Sequence, residues 1–122
     1  MSLKTTERTV DERLQKGVAL KIEGCYDEAE REITAVLEAE PNNVVARREL
    51  GLILGFKGMF DESLHELRRA VETDGTYLEA RNDLALTYSM LGMMEEARTE
   101  LETVLEIDPT NATALRHIVY FR

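Results

Sequence analysis

Two histidines, one cysteine and many carboxylates are the side chains of this chain that could do chemistry. Nucleophilic catalysis needs a hydroxyl or thiol within reach of a base. His65 stands beside Glu66 on what reads as a solvated helix face. His117, close to the end of the chain, faces either a groove or solvent. Neither has a Ser or Cys partner at a recognisable spacing. Cys25 lies in a turn between Gly24 and Tyr26, and no basic residue adjoins it to lower its thiol pKa. The carboxylates recur instead of converging: Asp27-Glu28, Asp61-Glu62 and Glu95-Glu96 are each 34 residues apart, as are Glu32, Glu66 and Glu100. That pattern describes helix starts and solvated faces, not an acid–base pair. Ligands at matched metal-binding spacing are missing, and the glycines are spread out where a phosphate-cradling loop would cluster them. The expectation is no catalytic residue, no metal and no cofactor, hence not an enzyme.

The composition narrows the partners. Of 122 residues, 43% are hydrophobic and 32% charged, enough apolar material for one domain with a core. Two prolines and seven glycines are too few for a sandwich or barrel of short strands. Fifteen Lys plus Arg against 24 Asp plus Glu leave a net charge of −9, which argues against nucleic acid and against an anionic membrane surface. No apolar run is long enough for membrane insertion. The lone cysteine excludes an internal disulfide framework and fits the cytoplasm.

The elements that must position any site emerge from an internal repeat. Shifted by 34 positions, Gly17, Gly51 and Ala85 align, as do Leu20, Leu54 and Tyr88, then Gly24, Gly58 and Gly92. Ala29, Ser63 and Ala97 follow, then Ile33, Leu67 and Leu101, and Pro41 and Pro109 punctuate the first and third units. Each unit holds two stretches of helical apolar period around a glycine turn; in the second they run over about residues 44–57 and 61–73. Thr9…Glu12 and Thr76…Glu79 have the spacing of capping boxes.

These units resemble the tetratricopeptide repeat. The resemblance covers about residues 10–43, 44–77 and 78–111, with a partial fourth unit over 112–122 behind a polar N-terminal tail, residues 1–9, in which Met1-Ser2-Leu3 reads as a leader. It implies an all-α, right-handed α-α superhelix, a solenoid of three helix pairs plus a C-terminal helix. A lone helix pair cannot bury its apolar stripe, so neighbouring pairs stack and share one elongated core. Three departures stand out. Arg13, Arg47 and Arg81 hold the family's common tryptophan position, Gly75 replaces a terminal proline, and Lys16 stands where Leu50 and Leu84 stand in the other units.

The resemblance further implies that each unit's first helix lines a concave groove. The matching positions are Leu14, then the row Val18, Leu52 and Leu86, then the row Ile22, Phe56 and Met90. Gln15, Glu49 and Asp83, then Asp11, Arg48, Glu79 and Asn82, give this apolar floor a mostly acidic margin. The same stripe also reads as core. Some family members clamp the acidic C-termini of heat-shock chaperones with Lys, Asn and Arg; here those positions hold Leu14, Val18, Glu49, Glu79 and Asp83, so an acidic chaperone tail is not the expected partner. The expected function is a protein–protein interaction module or scaffold that takes an apolar or amphipathic peptide carrying basic residues. Two alternatives stay open. One is a self-assembly module, a homodimer through the C-terminal helix, where Ile118 and Phe121 are expected to be exposed unless a further helix of a longer chain covers them. The other is a repeat array appended to an enzyme or sensor outside this chain.

Overall fold

Seven α-helices and a terminal 3-10 turn, with no strand, make up residues 3–121, which the computed structural model describes. They are α1 (Leu3–Ile22), α2 (Tyr26–Ala39), α3 (Val44–Phe56), α4 (Phe60–Thr73), α5 (Leu78–Met90), α6 (Met94–Ile107) and α7 (Ala112–Ile118), followed by the turn Val119–Phe121. α1 pairs with α2, α3 with α4 and α5 with α6; each pair then packs on the next, and α7 packs on α6. This is the expected all-α solenoid of three helix pairs and a C-terminal helix. α1 also reaches α3, and α3 reaches α5, more closely than α2 approaches α4 or α4 approaches α6. The first helices of the pairs therefore crowd together and take the inner side of the curve.

Within each pair the turn is identical in form. Gly24, Gly58 and Gly92 adopt φ of 84°, 79° and 77°, the left-handed conformation that ends a helix without a Cβ clash. The amides of Cys25, Met59 and Met93 then bond back to the carbonyls of Leu20, Leu54 and Tyr88 at 2.8, 2.9 and 2.8 Å, closing a Schellman-type cap three times over. Close packing of the paired helices sets the other small residues. A Cβ on Gly17 would stand 2.5 Å from Ile33 Cδ1, and one on Gly51 2.8 Å from Leu67 Cγ. Ser63, in the small column between Ala29 and Ala97, donates its hydroxyl to the Gly51 carbonyl at 2.7 Å.

The arginines at the tryptophan position form a ladder of clips. Arg47 Nη1 donates to Glu66 at 2.8 Å and Arg81 Nη1 to Glu100 at 2.8 Å, while Arg13 reaches Glu32 at 3.4 Å. Arg47 also donates to the Pro41 carbonyl and Arg81 to the Gly75 carbonyl, at 2.9 and 2.7 Å, tying the start of each pair to the loop before it. A planar guanidinium with five donors can bridge a carboxylate and a carbonyl at once, which an indole cannot.

The structure differs from expectation at the helix starts. α1 begins at Leu3, upstream of the start expected near residue 10, and no Gly or Pro intervenes to stop it. Met1-Ser2 and Arg122 lie outside the described residues. Thr9 consequently sits inside α1 and not at its start. Thr76 donates its hydroxyl to Asp74 Oδ1 at 2.8 Å, and α5 opens at Tyr77 without a side-chain cap. The side-chain caps are instead Asn43 and Asn111, whose Oδ1 atoms accept from the amides of Ala46 and Ala114 at 3.0 Å each.

Candidate interaction surface

The two rows expected to line the groove separate by burial. Leu14, Val18 and Leu52 are half-buried, and Leu14 packs against the core shared by the first two pairs. Leu86 is 54% exposed. In the other row all three residues are exposed: Ile22 at 77%, Phe56 at 60% and Met90 at 55%. The reason is positional. Ile22, Phe56 and Met90 are the last residues of α1, α3 and α5, so no following turn of the same helix shields them. Tyr26, at the start of α2, stacks on Phe56 with ring centroids 5.5 Å apart and planes 13° apart, which holds the phenyl ring on the edge of the array.

The expected acidic margin is not a row of free charges. Glu49 is 7% exposed and accepts from Lys21 Nζ at 2.5 Å. Asp83 accepts from Arg48 Nε at 2.5 Å. Burial raises the Asp83 carboxyl above the ordinary range, and Arg48 offsets only part of that. Burial alone would lower the Arg48 guanidinium, but its bonds with Asp83 and the Tyr77 hydroxyl raise it. Burial likewise lifts the Tyr77 phenol. Lys21, Glu49, Arg48 and Asp83 thus form an ion-pair chain across the inner faces of α1, α3 and α5. Sequence reasoning missed it because Lys21 and Arg48 belong to positions without a repeated charge; pairs 28 and 35 residues apart in sequence, close to one repeat, are the signal that would have found them. Further along, the Asn82 amide donates to Asn111 Oδ1 at 3.2 Å, while Asn82 Oδ1 is buried without a partner.

At the C-terminal end the expectation is corrected. Ile118 is not exposed: it is 6% accessible and packs in a core with Ala85, Leu101, Val104 and Ala114. It occupies the same repeat column as Leu50 and Leu84, which are also buried, and that column could have placed it. Phe121 is half-buried against the same cluster and against that around Leu84 and Tyr88. The apolar side chains that α7 and its 3-10 turn do expose are Leu115, Val119 and Tyr120. Between α5, α6 and this turn lies a cleft of about 560 Å³ lined by Leu86, Ser89, Met94, Arg98, His117 and Tyr120 among others.

His117 therefore lies at a cleft wall, His65 is exposed on α4, and Cys25 is half-buried at the turn before α2. No His, Cys, Asp or Glu cluster among the described residues is placed to hold a metal ion. No described helix is long and apolar enough to cross a membrane.

Among solved structures the chain is similar to the first TPR domain of Spaghetti (RPAP3) bound to the HSP90 peptide SRMEEVD, with a TM-score of 0.87 and 25% identity over 93% of this chain and 90% of that one. The NMR structure of the first TPR domain of human RPAP3 gives a TM-score of 0.86 at 25% identity, covering 92% of this chain and 88% of that one. YrrB, a TPR protein with an unusual peptide-binding site, gives 0.81 at 25% identity, covering 88% of this chain and 56% of that one. No curated protein matches the sequence. The family model described as tetratricopeptide repeat matches residues 57–117. With three in-register helix pairs, the repeated glycine turns and this match, the chain belongs to the tetratricopeptide-repeat family.

Proposed function

We propose that the protein is a non-catalytic protein-interaction module whose inner face, formed by α1, α3 and α5, binds an apolar or amphipathic peptide carrying basic residues. The observation that carries the reading is the exposure of Ile22, Phe56, Leu86 and Met90 on successive first helices. Four large apolar side chains open to water along one face are what an interface needs. The similar RPAP3 domain and YrrB are peptide binders by their descriptions, which supports the peptide class of partner. Cys25, without a cysteine partner, fits a reducing compartment such as the cytoplasm.

The similar RPAP3 domain holds an acidic peptide, and this bears on the sign of the partner's charge. Glu49 and Asp83, the carboxylates expected to repel an acidic tail, are here neutralised by Lys21 and Arg48. Repulsion is thus weaker than the sequence implied. The stronger argument lies at the clamp positions: Leu14, Val18, Glu49, Glu79 and Asp83 offer no positive charge there, and among the described residues Lys21 and Arg48 beside them are already paired.

A peptide-display selection on the parent and on Phe56→Asp tests the reading. Enrichment of apolar, basic peptides on the parent alone is the expected result. Equal enrichment on both, or none, overturns the inner face as the site. Enrichment of acidic tails on the parent keeps the module and overturns the basic partner.

A further inference from the structure

The exposed row Ile22, Phe56 and Met90 carries more than a class of partner. We propose, resting on the peptide-binding reading above, that the row is a ridge docking one basic amphipathic α-helix, with large apolar residues at every seventh position. The spacing argues for a helix. The three residues end three stacked helices, one per repeat. Directly packed helix axes stand about 8–10 Å apart, and the sparser α1–α3 and α3–α5 contacts put the step between anchors at or just above that. Seven residues of α-helix rise about 10.5 Å, so positions i, i+7 and i+14 of a partner helix meet the three anchors from one face. An extended chain covers the same step in about three residues, and an odd step turns every second anchor to the opposite side.

The charges argue for a basic partner. Beside the ridge, the second helices open with Asp27-Glu28, Asp61-Glu62 and Glu95-Glu96. Asp27 pairs with Lys57 at 2.7 Å; among the described residues the other five carboxylates have no ion pair. The helix dipole explains their place, and their negative field remains unspent. Among the described residues, Lys21 and Arg48 on the inner face are committed to Glu49 and Asp83. A second copy of this chain, at net charge −9, would set like charges against each other along the same edge. A helix with Lys or Arg flanking its apolar seam meets opposite charge along the second-helix starts.

Two synthetic peptides of identical composition test this, each about three heptads long. One carries Leu at every seventh position with Lys on both flanks; in the other the Leu spacing is shuffled so that the seam wraps around the helix. Binding is read by fluorescence anisotropy at low and high salt, helix gain by circular dichroism, and the mass of the chain by sedimentation. The expected result is that the heptad peptide binds about tenfold tighter than the shuffled one, gains helix on binding and weakens with salt. It should also be lost on both Phe56→Asp and Met90→Asp, each checked for retained helicity. Equal binding of the two peptides, or binding without helix gain, overturns the helical ridge and leaves the peptide-binding module intact. A concentration-dependent mass abolished by Phe56→Asp overturns it in favour of a second copy. Binding of neither peptide also overturns it, while the display selection judges the broader reading independently.

Discussion

Gly51 carries a packing constraint that no other residue can meet without movement. Its missing Cβ is replaced in space by Leu67, a fully buried side chain that has nowhere to retreat. Gly51→Ala should therefore destabilise the fold by about 1–3 kcal/mol in chemical denaturation, despite alanine's better helix propensity. Titration supplies a second prediction at this scale. Asp27 is held below the ordinary carboxylate value by its hydrogen bond and charge contact with Lys57, whereas burial pushes Asp83 above it. Side-chain NMR should show the two midpoints displaced in opposite directions, and Lys57→Met should return Asp27 alone towards the ordinary value. The linkage signs are opposite as well. Ionising Asp27 adds stability as pH rises through its lowered midpoint towards the unfolded value. Ionising Asp83 removes stability as pH rises from the unfolded value through its raised midpoint. The small columns and glycine turns were legible in the sequence because their period is fixed by helix contact. The opposite behaviour of two aspartates was not, because it depends on cations 30 or 35 residues away in sequence.

At the scale of the helix pair, the Arg–Glu clips grade with burial. Arg47 and Glu66 have side chains about one-tenth exposed, whereas Arg13 is 48% exposed opposite Glu32. Removing one partner of the buried clip leaves an uncompensated charge. Glu66→Ala should cost about 3–5 kcal/mol in equilibrium unfolding, and Glu32→Ala less than about 1 kcal/mol. The double substitution Arg47→Leu with Glu66→Leu should cost less than Glu66→Ala alone, since no charge is stranded. Additive losses in the cycle would show that the clip acts through the Pro41 carbonyl and not through the ion pair. From the sequence, the arginines read as departures from the family pattern; the structure gives them a partner in the second helix of the same pair.

Across the described residues, contacts run mainly between sequential helices, with α1–α3 and α3–α5 joining the first helices of adjacent pairs. α3 and α4 have helix pairs on both sides, while α7 rests on one side only, on α6 and on Ala85 of α5. Stability in such an array is a sum of unit and interface terms, so it grades from the middle outward. Native-state hydrogen exchange should be slowest in α3 and α4 and fastest in α7. Uniform protection along the chain would show instead one cooperative unit. The same neighbour logic explains Ile118. Alone, α7 reads as an apolar helix with an uncovered face, but docking on α6 turns its Ala114–Ile118 stripe inward and leaves Leu115, Val119 and Tyr120 outside.

The sequence by itself determined the repeat, its two helices per unit, the turn glycines, the small columns and the family. All of these follow from a period of 34 residues and a helical period of 3.6, which are properties of a single chain read along its length. It also named the first-helix positions from which the exposed row is drawn. Tertiary structure decided which of those positions stay open. Val18 and Leu52 are partly covered by neighbours, whereas Ile22, Phe56 and Met90 end their helices and remain bare. It decided, too, that Glu49 and Asp83 are paired while the carboxylates at the second-helix starts are mostly not. Burial and charge pairing arise between repeats, where residues distant in sequence share one dielectric, and no pattern within a repeat encodes that sum.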